Sequence, residues 1–387
     1  MKKRIIILGS TGSIGDTTLS IIEKNQNNFE VVLLSANKNI KKLLNQSKKF
    51  NVKNLVITDK KKFLIVKKKF LGRKINIFNN FNSFYSRFNK KIDYTMCAIT
   101  GTDGLSPTLQ SIKFTKNIGI ANKEAIICAW NLIKKSLKKY KCNFTPIDSE
   151  HFSINELIKN SSNKMIDEVI ITASGGPFLK YPLKKFKKIK PHQAVKHPKW
   201  KMGEKISIDS ATLMNKIFEL IEAKKIFNLN INQLKILIHP NSYVHAIVKF
   251  KNGLSKILIH DTNMNIPIFN WLYDNNKKLI TNKIDLKLLN DLNFTKVDVK
   301  KFPSINLIKK IPFSDSLFET VIVSANDELV SLFLKNKISF LKIWYVLNKI
   351  TNLKQFTDYK KKYPYNIGQI LDLSETVRLK TKSFCID

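Results

Sequence analysis

Residues 3–24, "KRIIILGSTGSIGDTTLSIIEK", decide how the chain is read. A continuous apolar run ends at Gly9, Gly12 and Gly15 follow at three-residue intervals, and helical spacing takes over behind them. A second apolar run, "EVVLLSA" at 30–36, completes a strand, helix, strand unit. Glycines at such a turn let backbone amides approach a pyrophosphate, and the helix N-terminus adds partial positive charge. Glycine turns after strands are common, but this one occupies the first strand-to-helix turn, the place where doubly wound sheets bind dinucleotides.

Working outward, the alternation continues through "NLVI" (54–57), "INIF" (75–78), "YTMCA" (94–98) and "NIGIA" (117–121), with helical segments between. This predicts a doubly wound, Rossmann-type parallel sheet in an α/β domain over residues 1–149. Past residue 150 the pattern changes. "DEVIITASGGPF" reads as a strand entering a glycine-rich loop, "DSATLMNKIFELIEAKKIF" as one amphipathic helix, and "KILIHP", "VHAIVKF" and "SKILIH" as strands of a smaller sheet. Residues 150–299 therefore read as a catalytic and connecting α+β domain, and 300–387, where helical periods dominate, as a C-terminal helical domain.

The composition narrows the function class. The chain has 387 residues, 43% of them hydrophobic, and a net charge of +39 from 68 basic and 29 acidic side chains. The lysines are dispersed, and runs such as "DKKKF" and "VKKKF" suit solvated helix faces better than a nucleic-acid groove. The charge favours the approach of anionic substrates. No stretch reaches the roughly 20 apolar residues of a membrane span. The apolar run after "MKKR" is too short for a signal peptide. Cys97, Cys128, Cys142 and Cys385 show no CxxC spacing and read as reduced thiols. A cytoplasmic protein is expected.

After the second strand comes "SANKNIKK" (35–42), with Lys38 and Asn39 and no carboxylate. An NAD site places an acid there, so its absence favours NADP; the lysine adds less in so lysine-rich a chain.

"IDSEHFSI" (147–154) sets Asp148 and Glu150 two residues apart with His151 next. In an extended segment that spacing points both carboxylates to one side, where they repel unless a cation or a shared proton intervenes. Oxygen ligands suit magnesium or manganese, although such pairs also occur on plain turns. The helix from Ser210 offers a third ligand. Asn215, Glu219 and Glu222 share one stripe opposite Leu213, Ile217, Leu220 and Ile221, but a solvated stripe with Lys216–Glu219 and Glu222–Lys225 pairs fits equally. Ser174 before paired glycines, and Ser210 near a helix start with Lys216 beyond, suit a phosphate. His197, Trp200 and Met202 in "HPKWKMGEK" suit a lid over 197–205.

Taken together, "GSTGSIG", "ANKEA", "DSEH", "SGGPF", "HPKWKMG", "KISIDSATLMNK", "IEA" and "IHPNSYVH" stand in the order and spacing of one family, and the chain resembles the 1-deoxy-D-xylulose 5-phosphate reductoisomerases. The resemblance implies metal-dependent isomerisation by retro-aldol cleavage and aldol rejoining, then NADPH reduction to 2-C-methyl-D-erythritol 4-phosphate, a step of non-mevalonate isoprenoid precursor synthesis. It implies that Asp148, Glu150 and Glu219 hold Mg2+, Mn2+ or Co2+, with Lys123 and His151 completing the catalytic set. Ser149, Ser174, His197, Trp200, Met202, Ser210, Asn215, Lys216 and His245 would meet the sugar phosphate, with Glu222 behind them. Gly9, Thr11, Gly12, Ser13, Ile14, Gly15, Lys38, Asn39, Asn122, Glu124 and Gly203 would meet NADPH. A homodimer is implied too. Asn37 and Ile217 stand where the family commonly has glycine, and "HDTNMNIPI" departs from its usual form. A metal-free NADP-dependent dehydrogenase and a nucleic-acid-binding protein are the competing classes. Resistance to chelators would mark the first, and salt-sensitive binding that ignores NADPH the second.

Overall fold

The computed structural model describes residues 2–72, 74–87, 91–200, 202–273, 277–282 and 284–386. Its contacts divide the chain into two compact units. The first comprises Met1–Ala125, Leu132–Asp148 and Met264–Leu279; the second comprises Ile126–Asn131, Ser149–Asn263 and Ile280–Asp387. Division by contact thus does not follow the chain-order boundaries 1–149, 150–299 and 300–387.

The first unit is built on strands β1 (Lys3–Leu8), β2 (Phe29–Ala36), β3 (Asn54–Ile57), β4 (Asn76–Phe78), β5 (Ile92–Cys97), β6 (Thr115–Ile120) and β7 (Asn143–Pro146). All pair in parallel, in the order β4-β3-β2-β1-β5-β6-β7. Ile5, Ile6, Ile7 and Leu8 are buried, which explains the unbroken apolar run of a strand covered on both faces. Strand order reverses between β1 and β5, and Gly9 stands at the end of β1, at this switch point. β7 escaped the sequence reading because "NFTP" is short and carries a proline. A second feature is long-range. The helix Asn265–Tyr273 packs against the helix Ser13–Glu23, and Trp271 meets Tyr94 edge-on at 5.3 Å. Gly119 makes room for that ring, since a Cβ there would lie 3.0 Å from Trp271.

The second unit holds β8 (Ile166–Ala173), β9 (Leu234–Ile238), β10 (Val244–Phe250), β11 (Ser255–Ile259) and the short β12 (Thr295–Lys296), in the order β11-β10-β8-β9-β12. β8 and β9 are parallel and the other pairs antiparallel. The helix Ser149–Ile158 packs on β10 and β11, the helix Met214–Ile226 packs on β8 and β9, and the two helices touch. Helices Phe318–Leu334, Phe340–Ile350 and Ile367–Ile386 pack on one another. The single helix expected over "DSATLMNKIFELIEAKKIF" is two. Glu204–Ala211 ends, Leu213 adopts the left-handed conformation at φ 65°, and Met214–Ile226 begins. Ser210 accordingly sits in the last turn of a helix, not near a start. Among the described residues no helix is long and apolar enough to cross a membrane. The cysteines are thiols, as expected.

Candidate active site

Asp148 follows β7, and the backbone turns into the helix Ser149–Ile158 at the next residue. The extended geometry expected for Asp148 and Glu150 is therefore replaced by a strand-to-helix turn, with Glu150 in the first helical turn. The carboxylates still converge. Asp148, Glu150 and Glu219 each offer an oxygen, and these atoms lie within 4.8 Å of one another. Glu150 is 7% exposed and Glu219 1%, which removes the solvated-stripe alternative.

Both ends of this acid group carry a lysine. The Lys123 ammonium pairs with Asp148. Lys123 opens the helix Lys123–Tyr140, capped by Asn122, whose side chain accepts from Ala125 N at 2.5 Å and donates to Gly101 O at 2.9 Å. Lys216 donates to Glu150 and, at 2.7 Å, to Glu219. Burial works against the Lys216 charge, but Glu150 and Glu219 outweigh it and hold the ammonium well above the usual lysine range. The Lys216–Glu219 pair is thus real but buried, not a surface pair. Ser149 Oγ donates to Glu150 Oε2 at 2.5 Å, and Asn215 Nδ2 to Glu219 Oε1 at 2.5 Å. His151 is fully buried; its Nε2 donates to the Glu219 carbonyl at 2.9 Å, and its Nδ1 lies 4.0 Å from Glu222. This imidazole joins the two helices that carry Glu150 and Glu219.

The expected phosphate residues cluster beside this group. Gly175 and Gly176 take positive φ after Ser174, and a Cβ on Gly176 would lie 2.9 Å from the Ser210 carbonyl, so the glycine loop presses on the helix end that bears Ser210. His197 Nδ1 accepts from Trp200 N at 2.9 Å and Lys199 N at 3.2 Å, which leaves the proton on Nε2 to reach Ser174 Oγ at 2.9 Å. Burial first, and Lys216 second, depress the His197 pKa to about 4. Neutral His197 therefore holds the loop on Ser174, and because its folded pKa is lowered, that contribution is present above the unfolded value of about 6.5 and lost as pH falls through about 4. NMR titration of 15N-labelled histidines is expected to find His197 neutral at pH 5.5; a midpoint near 6.5 would overturn this.

In the segment expected to form a lid, Trp200 and Met202 are half-buried and Gly203 caps the helix Glu204–Ala211; residue 201 lies outside the described residues. Trp200 meets His245 edge-on at 6.0 Å, and His245 stacks on His260 at 3.9 Å. His260 Nδ1 donates to the Asp261 carbonyl at 2.8 Å. Sequence reasoning missed His260, which lies in the departing "HDTNMNIPI" stretch and has no local motif.

At the glycine turn, Gly12 caps the helix Ser13–Glu23 with no side-chain hydrogen bond, leaving its first amides to a ligand. Gly12 and Ser13 are exposed and Thr11 and Ile14 half-buried. Two unforeseen residues hold the turn. Ser35 Oγ accepts from Gly9 N at 2.8 Å, and Gln46 bonds both Ser10 Oγ and Ser10 O at 2.9 Å. Lys38 and Asn39 are exposed after β2, with Asn39 capping the helix Ile40–Lys49. Asn37 bonds Thr58 at 2.8 Å. Glu124 is buried.

Comparison with known proteins decides the family. A profile described as 1-deoxy-D-xylulose 5-phosphate reductoisomerase matches residues 5–130, its C-terminal domain matches 144–227, and a DXP reductoisomerase C-terminal domain matches 260–380. The Pelagibacter ubique (strain HTCC1062) 1-deoxy-D-xylulose 5-phosphate reductoisomerase is 58% identical, over 99% of this chain and 100% of that protein. The chain belongs to the 1-deoxy-D-xylulose 5-phosphate reductoisomerase family.

Two solved reductoisomerase structures superpose closely. The Zymomonas mobilis enzyme in complex with NADPH has a TM-score of 0.88 at 31% identity and full coverage of both chains. A complex with NADPH, fosmidomycin and magnesium has 0.90 at 30% identity, covering 98% of each. The donor set suits a reductoisomerase metal, being carboxylate oxygens only, as hard divalent cations prefer. The helix N-terminus behind Gly12, which has no side-chain cap hydrogen bond, likewise suits a pyrophosphate.

Proposed function

We infer that Asp148, Glu150 and Glu219 are the residues at which this reductoisomerase holds its divalent cation, Mg2+, Mn2+ or Co2+. The enzyme isomerises 1-deoxy-D-xylulose 5-phosphate and reduces the product with NADPH to 2-C-methyl-D-erythritol 4-phosphate. The observation that carries the assignment is the meeting of these carboxylate oxygens within 4.8 Å. When bound, the cation supplies Lewis-acid polarisation of the ketose oxygens and NADPH supplies the hydride.

The side chains do the rest. Lys123, paired with Asp148, offers positive charge to an oxygen that becomes anionic in the reaction. Ser149 and Asn215 orient Glu150 and Glu219 by donating to them, and each can also meet substrate oxygens. Ser174, Ser210, Asn215 and Lys216 anchor the phosphate, turning remote binding energy into orientation of the reacting end. His197, Trp200, Met202 and His245 close the lid and exclude water. His151 acts through Glu219, as a positioning residue. Thr11, Ser13, Ile14 and the three glycines take the pyrophosphate, with Lys38 and Asn39 at the 2′-phosphate and Asn122, Glu124 and Gly203 lining the cofactor's path.

The chain acts as a cytoplasmic homodimer in this reading. Its thiols support the compartment, and the half-exposed Ile257 on edge strand β11, with Leu254 just before that strand, supports a partner subunit. The test is one assay. NADPH oxidation is expected only with both the ketose phosphate and a divalent cation, from a species sedimenting at twice the chain mass, and a chelator stops it. Turnover that survives chelation would sink the metal assignment.

A further inference from the structure

The ammonium of Lys216 sits where a cation belongs. It donates to Glu150 Oε1 and, at 2.7 Å, to Glu219 Oε2. The remaining oxygens of these acids accept from Ser149 Oγ and Asn215 Nδ2, both at 2.5 Å. Each carboxylate oxygen of Glu150 and Glu219 therefore has a donor, and one positive charge is shared by two buried acids that would otherwise repel. A divalent ion taking an oxygen from each acid, at the short distances such ions demand, would stand against that ammonium as a like charge. Lys216 has a flexible stem on which to move away. Its charge is also felt at His197, the ring bonded to Ser174, so the phosphate-binding loop lies within its electrostatic reach.

We propose that Lys216 is an internal competitor for the metal, holding Glu150 and Glu219 in register until a divalent ion displaces it toward the substrate's phosphate. This rests on the metal assignment above. One side chain then couples two sites: the metal releases Lys216 for the phosphate, and a phosphate that draws Lys216 away favours the metal by the same factor.

The test reads metal binding, not turnover. Mn2+ is titrated by electron paramagnetic resonance into the full-length protein, with and without inorganic phosphate, for the wild type, Lys216→Met, Lys216→Gln and Glu150→Gln. The wild type is expected to bind Mn2+ about 5-fold or more tightly with phosphate present. Lys216→Met and Lys216→Gln should bind Mn2+ about tenfold more tightly than the wild type without phosphate, and lose the phosphate effect. Equal or weaker binding by a folded Lys216 variant, or no phosphate effect in the wild type, overturns the proposal. Wild-type Mn2+ affinity retained in Glu150→Gln would instead overturn the metal assignment itself, so the two failures are distinguishable.

Discussion

Glu150→Gln is expected to lower kcat by at least about 10^3-fold, equivalent to roughly 4 kcal/mol of transition-state stabilisation, with the fold intact. The amide keeps the shape and size of the side chain but gives up the negative charge that a hard cation needs from its ligand. Glu150 is also buried in contact with Lys216, and removing one member of a buried pair usually destabilises because the other is left uncompensated. Here the ammonium keeps Glu219 at 2.7 Å, so melting should shift by only a few degrees, the scale of about 1 kcal/mol. Steady-state kinetics with saturating metal, beside a thermal melt, checks both halves. A variant that keeps more than about a tenth of wild-type kcat would remove Glu150 from the metal's ligands.

Gly15→Ala should damage the cofactor site through geometry alone. The added Cβ would lie 2.5 Å from Ser10 Cα and 2.6 Å from the Gly9 carbonyl, backbone atoms that cannot rotate aside. The helix Ser13–Glu23 must then lift off the turn. Its first amides and the Ser35 and Gln46 bonds that pin Gly9 and Ser10 move together. NADPH affinity, followed by fluorescence titration, is expected to fall about 100-fold, with a stability loss of about 1–3 kcal/mol. Gly12→Ala is the internal control. A Cβ there meets only the Gly9 carbonyl at 3.5 Å, an ordinary contact, so the fold should be kept. Unchanged NADPH affinity in Gly15→Ala would show that close helix packing does not shape this site.

These two positions also show how far the sequence could be read. The strands around the glycine turn are buried on both faces, so each announces itself as an unbroken apolar run. The helix Ser149–Ile158 gives no such signal. Polar Ser149, Glu150, His151 and Ser153 are buried beside Phe152 and Ile154, which erases the polar face that marks a helical period. By local pattern "DSEH" reads as extended, whereas the chain turns helical at Ser149 and the acids converge all the same. The break at Leu213 was equally hidden, because left-handed backbone is read from glycine or asparagine and here falls on leucine, a strain of order 1–3 kcal/mol held next to Asn215 and Lys216. Ser35, Gln46, His260 and Trp271 act through partners distant in sequence, which local patterns do not encode.

Trp271 also bears on how the polypeptide emerges from the ribosome. The sheet that carries the glycine turn has all its strands once Pro146 is made, but the ring that fits against Gly119 and Tyr94 is encoded far downstream. At about 5–20 residues per second that bare sheet face waits on the order of ten seconds for its cover. The nascent chain thus has an interval in which an apolar surface invites chaperones, and translation beyond Tyr273 ends it.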